Sequence, residues 1–286
     1  MTEENDYFDF SRPWRQRADD NYTQGLRVSW DVASVPSFMR PLLCPDRHAC
    51  ASTFEIGQEM YTPTVDGVRP IPGQRPYAGW LSVSASTVAA THRTRRAVGI
   101  TLGVTGPASL AEQTQAAFHH LIRRFHQPLG WAGQLPTEPG FAIDAEEAWH
   151  VGAPGRAARW LDIIPTMQAT AGTLRIALSA GGRVRLGFPL SHPWLVDAGA
   201  RPWEVYLFSG GQVEAVARDL FLDGTTFHSS VHVQHQPLVM NWERGIGARL
   251  GRLGIEYRIV AQGREYRNGP VAHPFGGFTI TWQATP

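Results

Sequence analysis

Apolar and polar residues alternate along most of the chain, with the period of a β-strand that has two different faces. The alternation is strict at residues 26–32, where Leu, Val, Trp and Val occupy every second position. Further stretches with strand character follow at residues 54–61, 77–90, 97–104, 141–151, 160–171, 174–188, 203–220, 238–248, 253–261 and 278–284. These eleven stretches predict eleven strands, and the first few residues could form the end of a twelfth.

One segment, residues 106–125, has the period of a helix instead. Ser109 followed by Glu112 has the spacing of a capping box, which marks the start of a helix. Gln115 and His119 lie one turn apart and therefore project from the same face. The stripe that recurs at three and four residues consists of Leu110, Thr114, Phe118, Leu121, Ile122 and Phe125. No other segment of the sequence indicates an amphipathic helix so clearly.

The strand pattern has no composition break and no internal repeat, so we expect a single domain over residues 1–286. Short, hairpin-like turns favour antiparallel strands of about 8–12 residues, which suit a β-sandwich or a closed barrel. Membrane barrels have the same alternation, with aromatic residues at the edges of the apolar face. Tryptophans near predicted strand ends or on the apolar phase are Trp30, Trp80, Trp160, Trp203, Trp242 and Trp282. The pattern alone leaves the sandwich and the membrane barrel open.

Composition says more about partners than about the fold. The formal net charge of +1 gives no argument for nucleic acid. All 26 basic residues are arginine, which suits phosphate binding, but a GC-rich genome gives the same bias. No apolar run approaches the roughly 20 residues of a membrane-spanning helix, and the chain opens without a secretory signal. Cys44 and Cys50 form either a disulfide or a pair of free thiols, and both remain open.

Eight short motifs follow one another along the chain, at predicted strand ends and in loops. They are Glu-Asn-Asp-Tyr-Phe (4–8), Tyr-Thr-Gln-Gly (22–25), Gly-Gln-Glu-Met-Tyr-Thr-Pro (57–63), Arg-Pro-Tyr-Ala-Gly-Trp (75–80), Gly-Pro-Ala-Ser-Leu-Ala-Glu (106–112), Gln-x-x-x-His (115–119), Gly-Trp-x-x-Gln-Leu-x-x-Glu-Pro (130–139) and Phe-Leu-Asp-Gly (221–224). In this order they resemble the lipid A 3-O-deacylase family of the Gram-negative outer membrane. Gln74 and Ala132 depart from the resemblance, because an acidic and a polar residue would be usual there.

The resemblance implies an all-β fold, a twelve-stranded antiparallel transmembrane β-barrel with one helix in an extracellular loop at about residues 105–140. It also implies a calcium-dependent site between the barrel wall and this helix. If the first strand ends at Asp6 on the outside, the loops at 7–22, 62–76, 105–140 and 219–236 emerge together and carry nearly all of the motifs. The first strand is then short, and we expect most of its length to be lost or to precede Met1.

The implied activity is hydrolysis of the 3′-linked acyl or acyloxyacyl chain of lipid A, without a Ser or Cys nucleophile. Asp6 and Asn5 offer hard oxygen ligands for Ca²⁺. The ion would polarise the ester carbonyl and hold the oxyanion. His119 would take a proton from the attacking water. The expected partners are lipopolysaccharide and outer-membrane lipids, and we expect a monomer that binds no nucleic acid.

The resemblance also implies roles for four further residues. Gln115 would orient His119 or the attacking water. Thr23 and Arg75 would bind polar groups of the substrate, and Arg75 suits a phosphate. Glu138 offers a second carboxylate, for calcium or for His119.

Structural explanations compete with these roles. A lone helix histidine such as His119 is usually a packing or surface residue. Asn5 and Asp6 could form a simple turn, Thr23 could be an ordinary strand residue, and Arg75 could snorkel at the membrane edge. For the whole protein, the alternatives are a non-catalytic outer-membrane barrel, acting as a channel or binding protein, and a soluble β-sandwich binding protein.

Overall fold

The computed structural model describes residues 1–13, 21–44, 49–121, 128–152, 160–195 and 202–283. Its strands are β1 (Thr2–Asn5), β2 (Asn21–Val32), β3 (Ala49–Thr62), β4 (Ala78–Ala90), β5 (Thr94–Thr105), β6 (Pro139–Trp149), β7 (Leu161–Gly172), β8 (Arg175–Phe188), β9 (Trp203–Asp219), β10 (Leu238–Leu250), β11 (Leu253–Gly263) and β12 (Ala272–Trp282). A two-residue segment, Val151–Gly152, also pairs with β7. The α-helices are α1 (Arg40–Leu43), α2 (Ala111–Leu121) and α3 (Leu220–Asp223). None of these helices is long and apolar enough to cross a membrane.

The twelve strands form one closed sheet. Each strand pairs antiparallel with its neighbours along the chain, and β1 also pairs with β12, with Thr2 opposite Thr279. β6 also pairs with β7, with Ala142 opposite Gly172, so the sheet is continuous between these two strands. The predicted twelve-stranded antiparallel barrel is therefore confirmed, and the β-sandwich alternative is wrong. Closure gives every long strand two partners and so removes the free edges of the sheet.

The alternation in the sequence becomes the two faces of the barrel wall. In β9, Val205 and Leu207 are exposed on the outer face. Tyr206 and Phe208 alternate with them and lie against arginines of the interior. Comparable exposed apolar side chains on other strands include Val28, Ile56, Val83, Leu102, Ile143, Leu178, Ile246 and Ile280. An apolar outer face with a polar interior is the arrangement of an outer-membrane barrel.

Ion pairs inside the barrel hold the short first strand. The buried Glu4 carboxylate accepts hydrogen bonds from Arg27 Nη1 and from the Tyr22 hydroxyl, both at 2.7 Å and both from β2. It also pairs with Arg258 of β11. A buried carboxylate needs such partners, because taking an isolated charge out of water costs several kcal/mol. Although β1 has only four residues, it is therefore fixed to strands on both sides of the closure.

Four long connections emerge at the end of the barrel where β1 ends, which we call the outer end. They follow β1, β3, β5 and β9. They also contact one another there: Asp66 accepts the N–H of Leu129, and Glu138 accepts the N–H groups of Thr226 and Phe227. The loops that carry most of the sequence motifs thus meet on one side, as the alternating topology predicts.

Helix α2 starts one residue later than the capping box predicts. Leu110, with a φ of 60°, is its N-cap, and the Leu110 carbonyl accepts the N–H of Thr114 at 3.0 Å. Ser109 instead ends a 3₁₀ turn, Gly106–Ser109, and its hydroxyl donates to the Gly106 carbonyl at 2.6 Å. The positions 122–125 of the predicted helix lie outside the described residues.

Helix α2 packs against the outside of the wall. Met60 of β3 faces outward, since its neighbour Tyr61 stacks on Phe221 inside the rim. A Cβ atom at Gly79 would lie only 2.4 Å from the Ala111 side chain, so glycine at this position lets the helix approach the wall. The buried cluster that joins the helix to the wall consists of Met60, Tyr77, Ala111 and Trp131.

The opposite end of the barrel carries the two cysteines. Cys44 and Cys50 form a disulfide, with their Cα atoms 6.1 Å apart. Of the two possibilities that the sequence left open, the disulfide is therefore correct. It ties the residue after α1 to the start of β3.

We predict that Glu4→Gln lowers the free energy of unfolding of the barrel by about 2 kcal/mol, because Arg27 and Arg258 each lose one of their two anionic partners. Urea unfolding in detergent micelles measures this change. Glu147→Gln is the matched control, because Glu147 pairs with Arg96 at the surface, where the Arg96 side chain is 55% exposed. Such a pair contributes at most about 1 kcal/mol. Equal effects of the two variants would contradict the prediction.

Candidate active site

A small cavity of about 10 Å³ lies between the barrel wall and α2. This space is close to that of one water molecule. Its lining consists of Asn5, Asp6, Tyr7, Thr23, Gln24, Gln115, Phe118 and His119. The structure thus brings together five of the predicted site residues from the N-terminal turn, β2 and the helix.

The N-terminal side of the cavity is built by a 3₁₀ turn, Asp6–Phe8, that follows β1 directly. The Asn5 side chain accepts the N–H of Tyr7 at 2.8 Å and caps this turn. Asp6 is 2% exposed. Asn5 and Asp6 do form a turn, as the structural alternative expected, but the same turn holds both residues against the cavity.

The β2 side of the cavity depends on a break in the strand register. Pairing with β3 shifts between Tyr22 and Gln24, so Thr23 lies at a bulge. The Thr23 hydroxyl is 2.8 Å from that of Thr62, and Thr23 is 2% exposed. Bulges often redirect a side chain near a functional site, and this one turns Thr23 and Gln24 toward the cavity.

Sequence reasoning missed Gln24, although it lies in the Tyr-Thr-Gln-Gly motif. Its Nε2 donates to the Glu3 carboxylate at 2.8 Å. With its nitrogen directed to Glu3, the amide group of Gln24 has its oxygen on the other side. The motif marked the position, but only the contact with Glu3 identifies which end of the amide is available to the cavity.

The helix side of the cavity is formed by Gln115 and His119, one turn apart as predicted. Gln115 is 2% exposed and His119 is 4% exposed, so this face of α2 is turned to the wall. His120, the next residue, is exposed. Trp131 comes from a 3₁₀ turn, Trp131–Gly133, and its indole N–H donates to Gln115 Oε1 at 2.7 Å.

Arg75 does not line the cavity. Its Nη1 donates to Glu265 Oε2 at 2.9 Å, and its guanidinium lies 4.4 Å from the centre of the Tyr61 ring. The side chain is 1% exposed, so it does not snorkel. The ion pair joins the loop after β3 to the loop after β11. Since Glu265 already neutralises the charge, this location does not favour the predicted contact with a phosphate.

Glu138 does not line the cavity either. Its carboxylate accepts the N–H groups of Thr226 at 2.7 Å and Phe227 at 3.0 Å, and it is 1% exposed. These bonds tie the helix-bearing loop to the loop after β9. The geometry indicates a structural role for Glu138 rather than a second carboxylate beside His119.

The donors around the cavity suit a hard cation. Within the described residues, no group of three or more His, Cys, Asp or Glu side chains is arranged to hold a metal ion. The lining of the cavity instead combines one carboxylate residue, Asp6, with the amide residue Gln24 and the hydroxyl residue Thr23. Calcium accepts such mixed oxygen ligands, including backbone carbonyls and water. The residues present therefore fit calcium better than a softer transition metal.

Comparison with known proteins gives the family. The family model described as outer membrane protein LpxR matches residues 1–284. The chain belongs to the LpxR family. This is the lipid A 3-O-deacylase family that the sequence motifs indicated, and the protein is accordingly an outer-membrane β-barrel of this lipid A deacylase family. A search of curated protein sequences finds no match.

One solved structure agrees closely with the LpxR-family fold. LpxR from Salmonella typhimurium superposes with a TM-score of 0.79 at 18% identity, covering 98% of each chain. The β domain of the Bordetella autotransporter BrkA has a TM-score of 0.43 at 12% identity over 89% of each chain. The translocator domain of NalP from Neisseria meningitidis has a TM-score of 0.46 at 11% identity, over 91% of this chain and 80% of its own. Scores as low as these last two do not establish a common fold.

We predict that Glu138→Ala in this LpxR-family barrel loosens the loop after β9 by about 2 kcal/mol, because two N–H groups of this loop lose a charged, buried acceptor. Hydrogen–deuterium exchange of the segment containing Thr226 and Phe227 measures this. Glu112→Ala, at an exposed position of α2, is the control and leaves that exchange unchanged. Unaltered exchange in Glu138→Ala would rule out the structural role.

Proposed function

We propose that this LpxR-family protein is an esterase that hydrolyses the 3′-linked acyl or acyloxyacyl chain of lipid A, acting as a monomer. The observation that carries the proposal is that His119 and Asp6 line one cavity although they come from separate loops. A histidine beside a buried carboxylate and polar donors is a suitable arrangement for water-activated ester hydrolysis.

In the proposed reaction His119 accepts a proton from water, and the water oxygen bonds to the ester carbonyl carbon. The bond between the acyl carbon and the sugar oxygen then breaks. His119 returns its proton to that oxygen, so the products are a fatty acid and the deacylated sugar hydroxyl. The burial of His119 against the wall supports this role, because it fixes the ring beside the space where a water fits.

Calcium is part of the proposal. Asp6, Asn5 and Gln24 would hold the ion, since all three line the cavity and carry oxygen donors. At this position the ion would supply polarisation of the ester carbonyl and compensation of the negative charge that develops on it. Thr23, whose hydroxyl already contacts Thr62, would bind a polar group of the substrate.

The location of the cavity on the outer side of the wall suits a lipid substrate. Phe8 and Phe10 extend from the N-terminal turn over the outer face, where Phe8 packs on Phe278 and Phe10 stacks on Tyr257 at ring distances of 5.4 and 5.3 Å. An acyl chain could approach along this apolar surface without leaving the membrane. In the alternative, a non-catalytic channel or binding protein, His119 would only pack the helix against the wall.

We predict that His119→Ala lowers release of fatty acid from lipid A at least 100-fold, because the general base is lost. We expect Asp6→Asn or a calcium chelator to have a similar effect. Mass spectrometry of lipid A after incubation with the folded barrel measures release of the 3′-linked chain.

His120→Ala is the matched control, because His120 is exposed on the next helix position and should leave release unchanged. Full activity of His119→Ala would refute the mechanism. A folded wild type that releases no acyl chain, with or without calcium, would favour the non-catalytic barrel.

A further inference from the structure

The contact between Trp131 and Gln115 determines whether the oxygen or the nitrogen of the Gln115 side-chain amide faces the cavity. The indole Nε1 lies 2.7 Å from Gln115 Oε1, and both side chains are buried. An indole N–H can donate a hydrogen bond but cannot accept one. The amide oxygen must therefore face Trp131, because the opposite orientation would set two donors against each other in a buried site.

The indole itself is held firmly. Its ring lies 5.0 Å from the ring of Tyr77, in the buried cluster that also contains Met60 and Ala111. The Tyr77 hydroxyl donates to Asp66, which fixes that ring in turn. At Gly130 a Cβ atom would lie 2.2 Å from the Tyr77 ring, so the chain entering Trp131 has no room to shift. Trp131 is thus a rigid donor rather than a loose contact.

We propose that Trp131 is a positioning residue that holds Gln115 with its amide Nε2 toward the cavity, where it donates a hydrogen bond to the carbonyl oxygen of the ester. This inference rests on the proposed esterase function. It also narrows the role of Gln115 to that of a donor toward the cavity, because its oxygen faces the indole of Trp131. A donor fixed before the substrate binds stabilises developing negative charge without reorganisation.

The test compares Trp131→Phe with Gln115→Glu. Trp131→Phe removes the N–H but keeps an aromatic ring in the cluster, and we expect kcat to fall about 10-fold with KM nearly unchanged. Gln115→Glu keeps an acceptor for Trp131 but offers no N–H to the substrate, and we expect kcat to fall about 100-fold. In the Gln115→Glu background, Trp131→Phe should cause little further loss, since the group that it positions is already gone.

Two controls separate positioning from general destabilisation. Trp282→Phe changes a tryptophan that is 67% exposed at the other end of the barrel and should leave kcat unchanged. The thermal unfolding midpoint of Trp131→Phe should stay close to that of the wild type. A wild-type kcat for Trp131→Phe would overturn the proposal. So would a further 10-fold loss of kcat when Trp131→Phe is added to Gln115→Glu.

A measurement without turnover distinguishes failure of this inference from failure of the esterase function. In protein with ¹⁵N-labelled tryptophan, the hydrogen of the Trp131 indole N–H should exchange slowly with solvent. In Gln115→Leu, which removes its acceptor, this exchange should be at least 10-fold faster. Fast exchange in the wild type would overturn the proposed positioning whatever the activity. Slow exchange in a barrel without esterase activity would support the positioning of Gln115 by Trp131 and would refute the proposed esterase function instead.

Discussion

Closure of the sheet is the constraint on which the other features of this protein depend. In a bilayer, a backbone N–H or C=O group without a partner costs several kcal/mol, so a β-structure must close on itself. Here β1 closes the barrel although it has four residues, and the interior charges around Glu4 compensate for its short length. Because closure fixes the direction of every strand, it also decides which loops meet at the outer end.

The short first strand has a second consequence, since it ends early enough for the chain to turn outward. At Gly276 of β12 a Cβ atom would lie 2.0 Å from the Phe8 carbonyl oxygen, so the turn after β1 needs glycine there. On the inner face, Gly277 makes room for Glu4 in the same way, with a Cβ distance of 3.0 Å. These two glycines interrupt the apolar alternation, which explains why sequence analysis placed the start of this strand at residue 278 rather than at Ala272.

The sequence was sufficient to predict the features that depend on the hydrophobic period and on the order of the strands. The alternation of apolar and polar residues predicted the strands. Because successive strands run in opposite directions, their order predicted that the loops with Asp6 and His119 lie at the same end of the barrel. It could not predict contacts between loops, which follow no period. Glu138 was expected as a second carboxylate for calcium or for His119, yet it accepts hydrogen bonds from N–H groups of another loop. Likewise, nothing in the local sequence indicates that Arg75 is neutralised by Glu265, a residue 190 positions away.

The two glutamines of the cavity explain how so small a space could serve the proposed reaction. Glu3 accepts from the amide nitrogen of Gln24, which leaves an oxygen for the side of Asp6. Trp131 donates to the amide oxygen of Gln115, so the nitrogen of this amide points away from the indole. In the proposed reaction, the side of the Gln24 oxygen would hold the cation and the side of the Gln115 nitrogen would meet the carbonyl oxygen. Since partners outside the cavity fix both amides, this polarity exists before the substrate arrives, which is the condition for electrostatic stabilisation of a transition state.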